Sequence, residues 1–222
     1  MSSASRRAIV TLALGLALGG CVSSKVEQLR ESPVTAAAPG SGHGVVVLGR
    51  KQNVGNQAEA GVVACVADRL EGGPVTVLSE ADFRNGMFPW FEPRTAPQDP
   101  AGLARLLADS AVEARVAELG VRYLVWLDGY TSDKDRGGGM SCAAGPGGGG
   151  CLGFVWWENQ AEYEASVWDL EKRTAVGRVS VDATGTSYMP AVLIPIPMVA
   201  RTRSAACGGV ADQLRELLIA PE

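Results

Sequence analysis

The sequence predicts an α/β fold of the α+β type, built around a mixed sheet, and three observations carry this prediction. A short strand–helix–strand pattern comes first, within 44–78. Three longer runs rich in β-branched and aromatic residues follow, and their composition is typical of a late antiparallel meander: 121–130, 154–170 and 174–188. The last segment, 202–219, has one apolar face and predicts a C-terminal amphipathic helix.

The N-terminal unit begins with an apolar run at 45–48 between two glycines, which predicts a short buried strand. Within 56–70, apolar residues recur at the spacing of one helix face, and two glycines followed by Pro74 end that helix. A second short strand is predicted at 75–78. This order of elements is strand, helix, strand.

A longer helix is predicted between 99 and 120. Asp99 is a suitable N-cap, Pro100 suits the first helical position, and an apolar stripe continues to a stop at Gly120. The helix therefore leads through a glycine turn directly into the strand at 121–130.

The segment 85–98 combines three prolines with a cluster of aromatic side chains, which is costly to leave in water. Two arrangements would shield it. The cluster packs on the protein's own core, which is the commoner arrangement on monomers, or it forms a surface for a partner. In the second case the candidate contact residues are Phe88, Trp90 and Phe91.

The N-terminus has the parts of a bacterial export signal. Two arginines precede the apolar run 8–18, which is too short to span a bilayer, and Leu18-Gly19-Gly20-Cys21 matches the lipobox of bacterial lipoproteins. We therefore predict a lipoprotein signal peptide at 1–20 and a diacylated Cys21 as the first mature residue. The alternative is an ordinary signal peptide with a chance cysteine at its cleavage site.

Val22 follows Cys21 where an aspartate would indicate retention at the inner membrane, so the lipobox predicts a cell outer membrane location with the domain facing the periplasm. Ser, Pro, Ala and Gly dominate the next stretch without helical or strand periodicity, which predicts a flexible tether at 21–43 and one globular domain at 44–222. No second long apolar run exists, so the lipid is the expected membrane anchor.

The charge of the mature chain argues against a nucleic-acid partner. The full sequence has 20 Lys and Arg against 24 Asp and Glu, and removal of 1–20 takes away two arginines. The mature balance of 18 basic and 24 acidic residues gives a net charge of −6. Its length and its hydrophobic fraction of 46% fit one domain with a real core.

Four cysteines remain besides the lipidation candidate, an even number in what we infer to be an oxidising compartment. Cys142 and Cys151 flank a glycine-rich stretch and are the favoured disulfide, so the stretch 137–153 is predicted to be a tied loop. Cys65 and Cys207 lie on core-facing stripes of the first and last helices, where they form a bridge or serve as small buried hydrophobic residues. Trp156 and Trp157, beside the loop, are further candidates for partner contact.

Catalytic and cofactor signatures are absent from the sequence. The single histidine, His43, falls in the tether, which leaves Ser-His-Asp, Cys-His and histidine-rich metal sites unsupported. The glycine-rich stretch lacks the lysine that a phosphate-binding loop requires. We expect no metal, no cofactor and no enzymatic activity. The rival hypothesis is a small-ligand-binding or hydrolytic protein that uses carboxylates such as Asp128, Glu158 and Glu162, and it predicts that these converge in a pocket.

Several short motifs together resemble bacterial envelope lipoproteins of the curli-secretion and penicillin-binding-protein activator families, and more distantly the amino-terminal domain of the Tol-system β-propeller protein. The motifs are the lipobox, the run 45–48, Val75-Thr76-Val77-Leu78, Glu118-Leu119-Gly120-Val121-Arg122-Tyr123-Leu124-Val125, and Val167-Trp168-Asp169-Leu170 leading into 174–181. The resemblance implies a non-enzymatic adaptor, assembly or secretion role, with oligomeric pore formation as a further alternative from the curli analogy. Together with the lipobox, it leads us to expect a lipid-anchored protein that binds another envelope protein.

Overall fold

The computed structural model describes residues 22–30, 44–49, 59–71, 75–92, 94–97 and 100–218. The predicted signal peptide, the lipidation residue Cys21, His43 and most of the predicted tether lie outside the described residues.

The described residues form six strands and five helices in an α/β arrangement, as the sequence predicts. In chain order they are β1 (Val22–Arg30), β2 (Gly44–Gly49), α1 (Ala60–Glu71), β3 (Thr76–Leu78), α2 (Glu80–Gly86), α3 (Pro100–Leu107), α4 (Ser110–Glu118), β4 (Val121–Gly145), β5 (Gly148–Asp169), β6 (Thr174–Pro195) and α5 (Thr202–Leu218). The strand order in the sheet is β1-β6-β5-β4-β2-β3. The mixed sheet, the late meander and the C-terminal helix are thereby confirmed.

The parallel part of the sheet is built on β2. All six residues of this strand are buried, and it pairs in parallel with β3 on one side and with β4 on the other. Val45 lies opposite Val77 in β3 and opposite Tyr123 in β4. Parallel strands are usually covered on both faces, and the burial of every residue of β2 explains its uninterrupted apolar sequence.

Strand β1 lies within the segment that we predicted as a flexible tether. Val22–Arg30 is a strand next to β6 at one edge of the sheet. Its polar composition, with Ser23 and Lys25 exposed, is common at sheet edges. Its order comes from backbone pairing with a neighbour rather than from an alternating pattern of its own, so the sequence alone did not indicate it.

The long helix predicted between 99 and 120 is two helices, α3 and α4. The break falls at Asp109, whose backbone is extended and whose carboxylate accepts a hydrogen bond from the amide of Ala111 at 2.8 Å. Asp109 is therefore an N-cap for α4. Both helices keep the predicted apolar stripe, with Leu103, Leu107 and Val112 buried.

The glycine-rich stretch is not a loop. Strand β4 runs to Gly145 and β5 starts at Gly148, which leaves a two-residue turn between strands of 25 and 22 residues. The indole of Trp156 lies against Gly137, where a Cβ would come within 2.9 Å of its ring nitrogen. Glycine is therefore needed in β4 so that the facing strand can lay an aromatic ring on it.

The chain packs as two compact units, and each of the three long strands contributes residues to both. The small unit comprises, among described residues, 22–23, Thr131–Gln160 and Ala183–Thr202; the large unit comprises 24–130, Ala161–Asp182 and the rest of α5. The large unit contains a continuous apolar core, to which Leu48, Phe83, Leu103 and Leu124 belong. None of the described helices is long and apolar enough to cross a membrane.

Candidate functional site

The aromatic segment of the large unit is mainly core. Phe91 is 1% exposed and its ring meets that of buried Phe83 edge to face, with centroids 5.0 Å apart at 74°. The prediction that Phe91 contacts a partner is therefore wrong, because its side chain fills the protein's own interior. Burial of these two aromatic rings removes a large apolar area from water and so stabilises the fold.

A set of hydrogen bonds fixes the backbone around this segment. Arg84 donates to the carbonyl of Phe91 at 2.7 Å, and the amide of Trp90 donates to the carbonyl of Met87 at 2.8 Å. The hydroxyl of Thr95 donates to the carbonyl of Pro89. On this fixed support Phe88 is 66% exposed and Trp90 is half-buried. The predicted contact surface here is thus reduced to Phe88 and part of Trp90.

Both pairs of cysteines form disulfides. The favoured Cys142–Cys151 bridge is confirmed, and it ties β4 to β5 close to the turn between them. For Cys65 and Cys207 the structure decides between the two open alternatives, because they are bridged and join α1 to α5 within the large unit. The latter bridge links residues 142 positions apart in the sequence.

In the described part of the chain, seven of the eight large apolar side chains that are exposed lie on the small unit. We call these seven the apolar surface, and they are Leu152, Phe154, Val192, Leu193, Ile194, Ile196 and Val199. Val192 is 77% exposed and Ile194 is 72% exposed. The proline-rich segment 187–197 carries most of these residues, and its Val192, Leu193, Ile194 and Ile196 side chains are exposed to solvent.

Contacts between neighbouring strands hold the apolar surface in place. The ring of Phe154 lies 5.9 Å from that of Tyr188, and Leu193 lies over Gly150, where a Cβ would be 3.4 Å from its methyl group. Tyr188 and Met198 exchange backbone hydrogen bonds of 2.9 and 2.7 Å, which close the segment between them. The exposed side chains therefore lie on paired backbone.

Charge is distributed unevenly along the small unit. The stretches 137–157 and 183–200 contain no Asp, Glu, Lys or Arg. Arg136 in β4 and Glu158 in β5 border the uncharged part of the hairpin, and Glu158 forms an ion pair with Lys134 at 3.7 Å. Trp156 and Trp157, the other predicted contact residues, are half-buried and adjoin Glu158. They lie at the border between the charged and the uncharged part of the hairpin.

The three carboxylates of the rival hypothesis are divided between the two units. Asp128 and Glu162 line one cavity of about 270 Å³ in the large unit, together with Glu164. Glu158 belongs to the small unit and is paired with Lys134. Across the described ranges, no group of three His, Cys, Asp or Glu side chains is arranged to hold a metal ion.

A larger cavity of about 370 Å³ has an apolar floor that includes Leu107 and Leu170, and charged groups at its rim. Arg122 contacts Asp169 and Glu171 at 3.3 and 3.4 Å. Asp169 also accepts a hydrogen bond from the amide of Lys172, which orders the turn between β5 and β6. These contacts tie the start of β4 to that turn.

No protein-family model and no curated protein matches this chain. Among the solved structures that align with it are the PelC dodecamer from Paraburkholderia phytofirmans and an L103M variant of that dodecamer. The first has 17% sequence identity and a TM-score of 0.39, covering 90% of this chain and 100% of that one. The variant has 16% identity and a TM-score of 0.40, covering 89% and 99%. Likeness at this level carries no argument about function.

Tyr123 is a buried polar group whose titration is testable. It is 1% exposed, and its hydroxyl has no hydrogen-bond partner within the described part of the chain. Burial raises its pKa above the ordinary value of 10.0; nearby Arg122 opposes this rise, whereas Asp169 and Glu171 add to it. The neutral phenol is therefore favoured in the folded state.

Because the folded-state pKa of Tyr123 is raised, its contribution to stability is complete below pH 10 and decreases as the pH rises above that value. We expect Tyr123→Phe to lose less stability than wild type between about pH 7 and about pH 10.5. At neutral pH the variant should be equal to wild type or about 1 kcal/mol more stable, since it removes an unsatisfied hydroxyl. Urea unfolding at both pH values measures this. Equal losses of stability in Tyr123→Phe and in wild type would contradict the raised pKa of Tyr123.

Proposed function

We propose that this protein is a membrane-anchored lipoprotein of the bacterial envelope, attached to the outer membrane and facing the periplasm, with a non-catalytic role in binding or assembly. The observation that carries the proposal is the apolar surface of the small unit. Large exposed apolar patches are uncommon on soluble monomers, and those that occur often mark sites of contact with a protein or a membrane. A surface held by paired strands and a disulfide loses little further conformational freedom when it binds.

The lipobox supports membrane attachment. Cys21 directly precedes β1, so a diacylated Cys21 joins the sheet without an intervening free segment. The predicted tether is thereby shortened at its N-terminal end, and the domain is expected to lie close to the membrane surface. The uncharged stretches of the small unit are compatible with that position, because they carry no ionised side chain.

A protein partner is best accommodated on the large unit, at Phe88. Its ring is exposed on a segment fixed by hydrogen bonds and by the core position of Phe91. Rigid aromatic side chains of this kind often supply a large share of binding free energy at protein interfaces. Trp90, half-buried beside it, extends the same contact.

Photo-crosslinking in the native envelope tests both contacts. A photoreactive amino acid is placed at position 88, at position 194, or at position 68 on the exposed side of α1 as a control. We expect position 88 to give one dominant protein adduct and position 194 to give an adduct with an envelope component that covers it. Position 68 should give no adduct. The mass of the N-terminal peptide reports acylation of Cys21. An unmodified N-terminus, or equal behaviour of all three positions, would overturn the proposal.

A further inference from the structure

We infer that the apolar surface of the small unit inserts at the interfacial level of the same lipid bilayer that holds the anchor, so that the protein contacts its membrane at two places. This inference rests on the proposed lipid anchoring at Cys21. It goes further by naming the occupant of the apolar surface, which is lipid rather than a protein.

The distribution of charge favours lipid. Neither 137–157 nor 183–200 contains a charged residue, and together they provide the whole turn end of the β4–β5 hairpin and the neighbouring part of β6. Protein interfaces of comparable extent have polar and charged groups at their rim, with Arg enriched among the contact residues. A bilayer excludes charge, since an ionised side chain placed in it is costly. The two uncharged stretches of the small unit match the second environment.

The types of side chain agree with this distribution. The most exposed residues, Val192, Leu193 and Ile194, are aliphatic, and they follow one another along the chain instead of alternating with polar residues. Trp156 and Trp157 lie where the uncharged part of the hairpin meets the Lys134–Glu158 ion pair. Tryptophan is enriched at this boundary in membrane proteins, because its ring suits the region between hydrocarbon and water.

The backbone of the inserting segment has few unsatisfied donors. Pro190, Pro195 and Pro197 have no amide hydrogen, and the amide of Ile196 donates to the carbonyl of Pro190 at 3.0 Å. The exchange between Tyr188 and Met198 closes the segment. Unpaired backbone groups are costly in an apolar medium, so a segment that satisfies its own groups enters the bilayer surface at a lower cost.

The position of the anchor supplies an independent argument. Val22 and Ser23, the first residues of β1, belong to the small unit. Cys21 precedes Val22, and consecutive Cα atoms are about 3.8 Å apart. A lipid on Cys21 therefore brings the small unit, in particular, to the membrane. A protein partner that covered the apolar surface would therefore have to bind next to the membrane.

Depth-dependent quenching tests the inference on the full-length, lipidated protein in vesicles of phosphatidylethanolamine and phosphatidylglycerol. An environment-sensitive fluorophore is attached through Ile194→Cys, or through Asp68→Cys as a matched control on the large unit, with both disulfides intact. We expect a blue-shifted emission and strong quenching by nitroxide-labelled lipid at position 194. Position 68 should show neither effect.

Charge variants separate insertion from mere proximity. With the fluorophore moved to Phe154→Cys, we expect Val192→Asp with Ile194→Asp to reduce quenching by about tenfold, whereas Ile194→Leu leaves it unchanged. Near-ultraviolet circular dichroism checks that each variant is folded. An acylated Cys21 with no quenching at position 194 would overturn the inference and leave the proposed anchoring intact. Protection of position 194 by a protein or by a second copy, without lipid quenching, would also overturn it. An unacylated Cys21 would instead refute the proposed function.

Discussion

Removal of the Cys65–Cys207 disulfide is expected to lower the free energy of unfolding by about 5 kcal/mol, the largest effect that we predict for this protein. The bridge closes a loop of 142 residues between α1 and α5. Without it, the unfolded chain gains the conformational entropy that the cross-link withholds, and this gain increases with the logarithm of loop length. Chemical denaturation of Cys65→Ala with Cys207→Ala measures the loss.

The Cys142–Cys151 disulfide supplies a matched control within the same chain. It spans only 9 positions, so the same reasoning gives a loss of about 2.5 kcal/mol for Cys142→Ala with Cys151→Ala. The two double variants remove the same chemical groups and differ in loop length and location. A loss for Cys65 and Cys207 no greater than that for Cys142 and Cys151 would contradict the prediction.

Phe91→Ala is expected to destabilise the protein by about 3–5 kcal/mol, because it leaves a cavity in the core of the large unit. Phe91 packs edge to face on Phe83 and is almost completely buried. Phe88→Ala, three positions earlier in the same segment, removes the same side chain from an exposed position and should change stability by no more than about 0.5 kcal/mol. Thermal or urea unfolding compares the two variants directly.

Variants at the same two positions have different expected effects on binding. Phe88→Ala should abolish the dominant protein crosslink while the fold is retained, since its ring is offered to solvent. A conservative core change, Phe91→Leu, retains most of the buried volume and should leave that crosslink in place. If Phe91→Leu abolished the crosslink in a stable protein, the division of this segment into core and contact residues would be incorrect.

Local sequence patterns were sufficient to predict those features whose residue pattern lies within one short segment of the chain. The uninterrupted apolar run at 45–48 indicated a buried strand, and β2 is buried throughout. The one-sided apolar pattern near the C-terminus indicated α5. The short spacing of Cys142 and Cys151 across glycines favoured their disulfide. Each of these predictions depends on neighbouring residues alone.

Predictions that depended on distant partners were less successful. The glycines of 137–153 were interpreted as a loop, since nothing nearby in the sequence shows that Trp156 covers Gly137 from the facing strand. The interpretation of 21–43 as a tether did not include β1, whose order depends on β6. Asp109 is a good N-cap by type, and its presence inside an apolar stripe could have indicated the break between α3 and α4.

The sequence by itself determined the α/β class, through the period and composition of its apolar runs. It also predicts the outer-membrane location, through the lipobox ending in Cys21. These properties follow from residues that are adjacent or one helical turn apart. Only the tertiary structure decided that Phe91 is core, that Cys65 is bridged to Cys207, and that Val192 and Ile194 are exposed. An apolar side chain has the same hydrophobicity in either place, and its burial depends on whether distant parts of the chain provide a surface to cover it.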